Sequence, residues 1–558
     1  MIGNDFHKKE GPLLTLPSLG GGSASTLVRK PPSGGGGGSL DTPSTNNNLT
    51  DDDYVNVMNT SIYADRDFCG MYVDKYNSGK IYLGGNCQAG NVGGQNYGWG
   101  YLIASINQNG TYNWNKKLAF VQANKVDAVF ALGGDSSGNV YGFGKTQRAD
   151  DSWTASMCKL NSSGTLQYGK FCHLSGNTSV GNNLENQFQY VKIDSSSNQY
   201  SLLWLDNSSN QCDTYIMKTN SSQSISWQKK VVLQGSSTAF GGSSQYQKIL
   251  GFDIKYDGSE IYMLFKNNQD SNKISVVKFD GSDGSVTWTK TLTASNSFEQ
   301  SNGSQNNAPH AQANALQVDY SGNVYIATGN STNFAISKIT SAGVLSWSKI
   351  IQSNGTNDSF FVHGGNYAIG VDQTADGRII ASHASTFDKD RTGDNPDTVF
   401  YVLTNSGTVS NARHIYHANT KAADVANDNG GRREKLYAIE GDGNGMMYLG
   451  GNYPSLGYGQ SYSWQMHYDS GFIKHKSDTA VGIGSYGVNT SSGFTDSTAI
   501  ENFTEYTVTG GSYSIANANS NGTVVVSTPS PLIVFTTASQ CLVTGSESDS
   551  NFDVDTSL

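Results

Sequence analysis

Along residues 319–351 the chain reads "DYSGNVYIATGNSTNFAISKITSAGVLSWSKII". Short runs that alternate apolar and polar residues are separated by clusters of Asp, Ser, Gly, Asn and Thr. Period-two alternation bounded by such clusters predicts β-strands joined by tight hairpins, since these residues adopt turn geometries at little cost. Gly322 and Asn323 turn into Val324-Tyr325-Ile326, and Gly343 turns into Val344-Leu345-Ser346-Trp347.

The same pattern recurs along the chain. Its first half, a polar turn followed by an aliphatic residue and Tyr, appears as "NSGKIYLGG" (77–85), "DSSGNVYGFG" (135–144), "DSSSNQYSLL" (194–203) and "DGSEIYMLF" (257–265). Further copies are "DYSGNVYIATG" (319–329), "ADGRIIASH" (375–383) and "DGNGMMYLGG" (442–451). The second half follows each time, from "LIASINQNGTYNWNKKL" (102–118) to "ISKITSAGVLSWSKII" (336–351), "YVLTNSGTVSNARHI" (401–415) and a weaker "QMHYDSGFIKHK" (465–476). The period is about 60 residues with about four strand-length segments in each, which fits a propeller blade with generous loops; a parallel β-helix would show shorter coils. The expected fold is therefore all-β, a β-propeller of seven four-stranded blades. Ile81, Val140, Ile261, Val324 and Ile379 are assigned to packing between blades. Trp114, Trp227, Trp288 and Trp347, with Tyr168 in one copy, recur at the blade period and read as packing residues near each outer strand.

Composition agrees. The 558 residues are 36% hydrophobic and only 15% charged, with 65 Gly and 30 Tyr, which suits short strands and many turns. A net charge of −10 and the lack of any Lys/Arg-rich tract argue against a nucleic-acid partner. No run approaches the roughly 18 apolar residues of a membrane span, and the N-terminus lacks the form of a signal peptide. The six cysteines show no CxxC spacing and read as free thiols.

The units "DSSGNVYGFGKT" with "SMCKLNSSGTLQYGKFC", and "DYSGNVYIATG" with "AISKITSAGVLSWSKI", resemble the bacterial β-propeller repeat family. The resemblance spans about residues 69–482. It implies the fold but not an activity, because propellers of one shape host many functions.

The ends differ from this core. Residues 1–55 form a Gly/Ser/Pro/Asn-rich tract unable to build its own core, read as an extended docking arm or linker. Its apolar residues Phe6, Leu13, Leu14, Leu16 and Leu19 are the candidate partner-docking contacts. This start is similar to N-termini of tailed-phage virion proteins. Residues 56–483 are assigned to the propeller, and 484–558 to a small C-terminal β appendage or closing strands with an acidic tail.

Catalytic motifs are missing: there is no GxSxG, HExxH, P-loop or dinucleotide fingerprint in context. His414 and His417 have no acidic or cysteine companion at ligand spacing. Two acidic loops, one with Asp388, Asp390, Asp394 and Asp397 and one with Glu440, Asp442 and Asn444, lack the distal Glu of a calcium loop and read as turns. No cofactor, catalytic or metal residue is therefore assigned. The expected function is a non-enzymatic phage virion structural protein of tail, fibre or capsid surface. In that reading other virion proteins hold the arm, the chain is multimeric, and the polar surface meets a host-surface glycan or receptor. The alternative is a secreted bacterial surface propeller or adhesin, located outside the cell or on its surface. A quinone-type propeller enzyme comes third, because "KFDGSDGSVTWTK" is similar to the quinone-dependent dehydrogenase repeat, but no adjacent Cys pair is present.

Overall fold

The computed structural model describes the strands and tight turns between Val55 and Asp555, with side chains described between Gly70 and Gly450; residues 1–54 and the longer connections lie outside the described residues. Every regular element among the described residues is a β-strand. The strands form seven antiparallel sheets of five strands each, resembling propeller blades. Six sheets contain a consecutive four-strand meander, at 68–119, 127–174, 187–233, 249–294, 316–353 and 368–417. The seventh takes three strands from 435–476 and borrows Val55–Met58 as its fourth. The weak last copy of the repeat is thereby explained, because its outer strand comes from the other end of the chain and needs no Trp-bearing segment.

The first strands touch one another in cyclic order. Phe68–Val73 meets Asp127–Gly134, followed by Gln187–Ile193, Ile249–Ile254, Leu316–Val318, Ala368–Val371 and Lys435–Gly441, which returns to Phe68–Val73.

The Asp-x-x-Gly-Asn turns are held by their own side chains. Asp319 Oδ1 accepts hydrogen bonds from the Ser321 and Asn323 amides at 2.9 Å, and Oδ2 accepts one from Asn323 Nδ2 at 2.8 Å. Asp135 and Asp194 repeat the arrangement. The Tyr six residues on (Tyr141, Tyr200, Tyr325) brings its hydroxyl to the same carboxylate, at 2.7, 3.1 and 3.1 Å. The aliphatic column Ile81, Val140, Ile261, Val324 and Ile379 is buried, as expected. Each such side chain contributes roughly 1.5–3 kcal/mol of burial.

Trp residues join neighbouring sheets. On the fourth strands, Trp114, Trp227, Trp288 and Trp347 donate their indole N–H to carbonyls in the next sheet's last turn: Ser162, Gly281, Ser341 and Asn405, at 3.0–3.2 Å. The ring lies on the Gly of that turn. Gly164, Gly284, Gly343 and Gly407 have φ between +73° and +82°, and a Cβ there would sit 2.7–3.2 Å from the indole or its neighbouring Lys. Gly is needed twice over, for backbone conformation and for contact.

The segment after residue 484, expected to be a small β appendage or closing strands, supplies strands to the sheets. Its strands Phe494–Ser497, Phe503–Thr507, Tyr513–Asn517, Val524–Ser527, Ile533–Thr537, Leu542–Gly545 and Phe552–Asp555 are dealt out one to each sheet, from the sixth back to the first and then to the seventh. In the first six sheets each pairs antiparallel with the fourth strand, as Phe503–Thr507 does with Leu345–Ser353. The physical reason is that a meander's outer strand leaves a row of backbone donors and acceptors unpaired, and an alternating strand from anywhere in the chain can satisfy them.

Candidate functional site

On each first strand, the residue two positions before the turn residue occupies one column: Tyr72, Gly133, Lys192, Asp253, Gln317, Gly370 and Glu440. Strand alternation places it between buried apolar residues such as Phe252 and Ile254, or Leu316 and Val318. Because the first strands form a cycle, polar members of this column from four sheets converge. Lys192 Nζ donates to Glu440 Oε1 at 2.7 Å and lies 3.6 Å from Asp253 Oδ1. Asp253 Oδ2 accepts from the Val318 amide at 2.8 Å. Gln317 donates to the Ile439 carbonyl and accepts from the Val371 amide, both at 2.8 Å.

The three charged side chains keep only 11–20% of their surface exposed. Burial opposes charge on Lys192, but the Glu440 and Asp253 carboxylates outweigh it and hold the ammonium well above its ordinary range. The cluster is a self-satisfied ion triad with its polar neighbours engaged by backbone. It cross-links the third, fourth and seventh sheets. Among the described residues no group of three or more His, Cys, Asp or Glu could hold a metal ion.

Of the residues singled out in the sequence, Phe6, Leu13, Leu14, Leu16 and Leu19 lie outside the described residues, as do Asp388, Asp390, Asp394, Asp442 and Asn444. Asp397, His414 and His417 are placed on strands by backbone alone. Glu440, read as part of a turn, instead lies on the first strand Lys435–Gly441 and faces Lys192. Sequence reasoning missed Lys192, Asp253 and Gln317. The available signal was the column itself, where polar residues interrupt strands that are otherwise apolar. The six cysteines read as free thiols include Cys158 and Cys172, which are buried and unpaired; burial pushes the Cys158 thiol up to about 12.

No protein-family profile and no curated protein matches the chain. Solved structures match at low identity. The Dos1 propeller is 8% identical, with 70% of this chain and 74% of that one covered, at a TM-score of 0.35. A 6-phosphogluconolactonase-like protein of Bacteroides uniformis is 13% identical over 64% of this chain and 95% of its own, at a TM-score of 0.33. A glucose dehydrogenase is 8% identical over 58% and 93%, at a TM-score of 0.27. These likenesses carry no activity across.

The expectation of a phage virion protein is corrected. The matching structures described above are propellers and enzymes rather than phage proteins, and nothing in the fold ties it to a tail, fibre or capsid. The resemblance of the N-terminal tract to virion proteins rested on Lys8-Lys9 followed by the Pro12-Leu13-Leu14 patch and a poly-Gly run, all of which lie outside the described residues. No helix among the described residues is long and apolar enough to cross a membrane.

Proposed function

We propose that the seven sheets form one closed seven-bladed β-propeller, and that the chain is a non-enzymatic secreted or surface propeller of the adhesin type. The observation that carries this reading is the ion triad Lys192–Glu440–Asp253, with Gln317 beside it. Propellers surround a central channel, and here the polar groups that converge between the first strands are engaged by one another or by backbone. Binding then falls to the connections between strands, whose sequences are rich in Ser, Thr and Asn. Such side chains hydrogen-bond sugar hydroxyls, so surface glycans are the proposed ligand class.

Two measurements test this. Protease treatment of intact native cells should release peptides of this chain while a cytosolic marker stays intact. The purified full-length chain should bind a subset of an immobilised glycan array, with competition by the free saccharide. Confinement to the lysate together with a blank array would overturn the proposal.

A further inference from the structure

Four of the contacts between neighbouring sheets repeat the Trp–Gly arrangement, and the contact between the second and third sheets departs from it. Between the second and third sheets, four columns change chemistry together. Tyr168 stands where four other fourth strands carry Trp114, Trp227, Trp288 and Trp347 and the sixth carries Asn411. Gln223, with φ +64°, stands where the other last turns carry Gly. Gln199 replaces the aliphatic residue of the column Ile81, Val140, Ile261, Val324, Ile379 and Met447. Thr219 replaces the apolar residue that is Ile106, Leu160, Phe279, Ile339 and Leu403 elsewhere.

All four belong to one seam. The Trp–Gly contacts of the other seams set the correspondence, pairing a fourth strand with the next sheet's last turn. Gln223 approaches the Tyr168 hydroxyl, and Gln199 approaches the hydroxyl of Tyr141 on the second sheet. Thr219 Oγ1 reaches Gln199 Oε1 at 3.5 Å. Gln199, Thr219 and Gln223 are 1%, 1% and 5% exposed. Yet Tyr168 Oη, Gln199 Nε2, and both Nε2 and Oε1 of Gln223 are buried without a hydrogen-bond partner among the described residues.

Four unmet polar atoms in one buried seam are not a stable end state, since buried donors and acceptors in folded proteins are paired with protein or with ordered water. We propose that this seam is a hydration site: ordered water bound by Tyr168, Gln199 and Gln223 joins the second sheet to the third, where an indole joins other neighbours. The donor set suits water. Gln199 Nε2 and Gln223 Nε2 donate, Gln223 Oε1 accepts and the Tyr168 hydroxyl does either, so one molecule can find the two to four partners that hold buried water. Neighbouring charges are already engaged, with Lys159 lying 3.6 Å from Asp135 and Lys170 stacked over the Tyr168 ring at 5.1 Å.

The test is a high-resolution crystal structure of the full chain, paired with oxygen-17 relaxation dispersion in solution. Density for at least one water is expected about 2.7–3.2 Å from two or more of the four atoms. The variant carrying Tyr168→Trp, Gln199→Val, Thr219→Leu and Gln223→Gly should lose that density and at least one long-lived water, and unfold at a higher temperature. A dry seam, with Tyr168 bonded directly to Gln223, would overturn the proposal. So would density for a larger molecule, or equal counts of long-lived water in the two proteins. If the variant does not fold, the crystal structure of the native chain decides alone.

Discussion

Asp127 opens the first strand of the second sheet and is 2% exposed. Its Oδ2 accepts a hydrogen bond from the Phe120 amide at 2.9 Å, while Oδ1 has no partner among the described residues. The nearby Thr146 hydroxyl donates instead to Ser156 Oγ at 2.7 Å. Burial pushes the carboxyl from 3.8 up to about 7, against the smaller opposing effect of the Phe120 bond. A raised acid binds its proton in the folded state at pH values where the unfolded chain has released it, so stability falls as pH rises from about 4 to about 7 and then levels. The interval converts, at about 1.4 kcal/mol per pH unit, to roughly 4 kcal/mol of destabilisation above pH 7. Asp127→Asn removes that charge and keeps an acceptor for Phe120. It leaves an amide N–H₂ facing Oδ1's unpaired position, at a cost of about 1–3 kcal/mol. The variant should therefore be about 1–3 kcal/mol more stable than the native chain at pH 8, and equal or weaker at pH 5. Guanidinium midpoints of both proteins across this range, with reversibility checked at each pH, measure the difference. Parallel curves would refute the reasoning, because every other titrating group is common to the two chains.

Gly284→Ala should cost about 2–4 kcal/mol in the urea midpoint, since φ is +73° and a Cβ would lie 2.7 Å from the Trp227 ring; a loss under about 0.5 kcal/mol would show that the indole shifts freely. Lys192→Met leaves Asp253 and Glu440 buried without their cation, an expected loss of about 3–5 kcal/mol. Adding Glu440→Gln should recover part of it, and strict additivity of the two changes would argue against the ion triad. Deleting residues 494–558 uncovers the fourth-strand edges of all seven sheets and should produce larger species by light scattering and faster trypsin cleavage. A monomer with an unchanged digest would mean the added strands contribute nothing.

Most of the blade pattern was legible because the residues that make it are local. Asp319, Gly322, Asn323 and Tyr325 act within seven positions of one another, and Trp114, Trp227, Trp288 and Trp347 mark four of the fourth strands by period alone. The partners of those residues were less visible. That Trp288 lies on the Gly343 turn depends on how successive sheets stack, and no single repeat contains both. The ion triad was hidden further. Lys192, Asp253 and Glu440 each sit alone on a strand, and only a cycle of first strands brings residues 248 positions apart into contact. The C-terminal strands were read as strands, but as either a small appendage or closing strands, with no edge assigned to any of them. Alternation reports that a segment is a strand and says nothing of which edge it joins.

The added strands change what the two ends of the chain do to each other. Val55–Met58 lies between Tyr468–Lys476 on one side and Phe552–Asp555 on the other, with Val55 opposite both Ile473 and Asp555. A strand at a sheet edge can be peeled away by breaking one ladder, whereas an inner strand must break two. The last strand of the chain thus fixes the first. Pairings of such separation form late, because the loop they close is nearly the whole protein and its entropy must be offset before the contact stabilises anything. The seventh sheet is therefore the natural last step of folding, reached after the C-terminal segment has added to the other six.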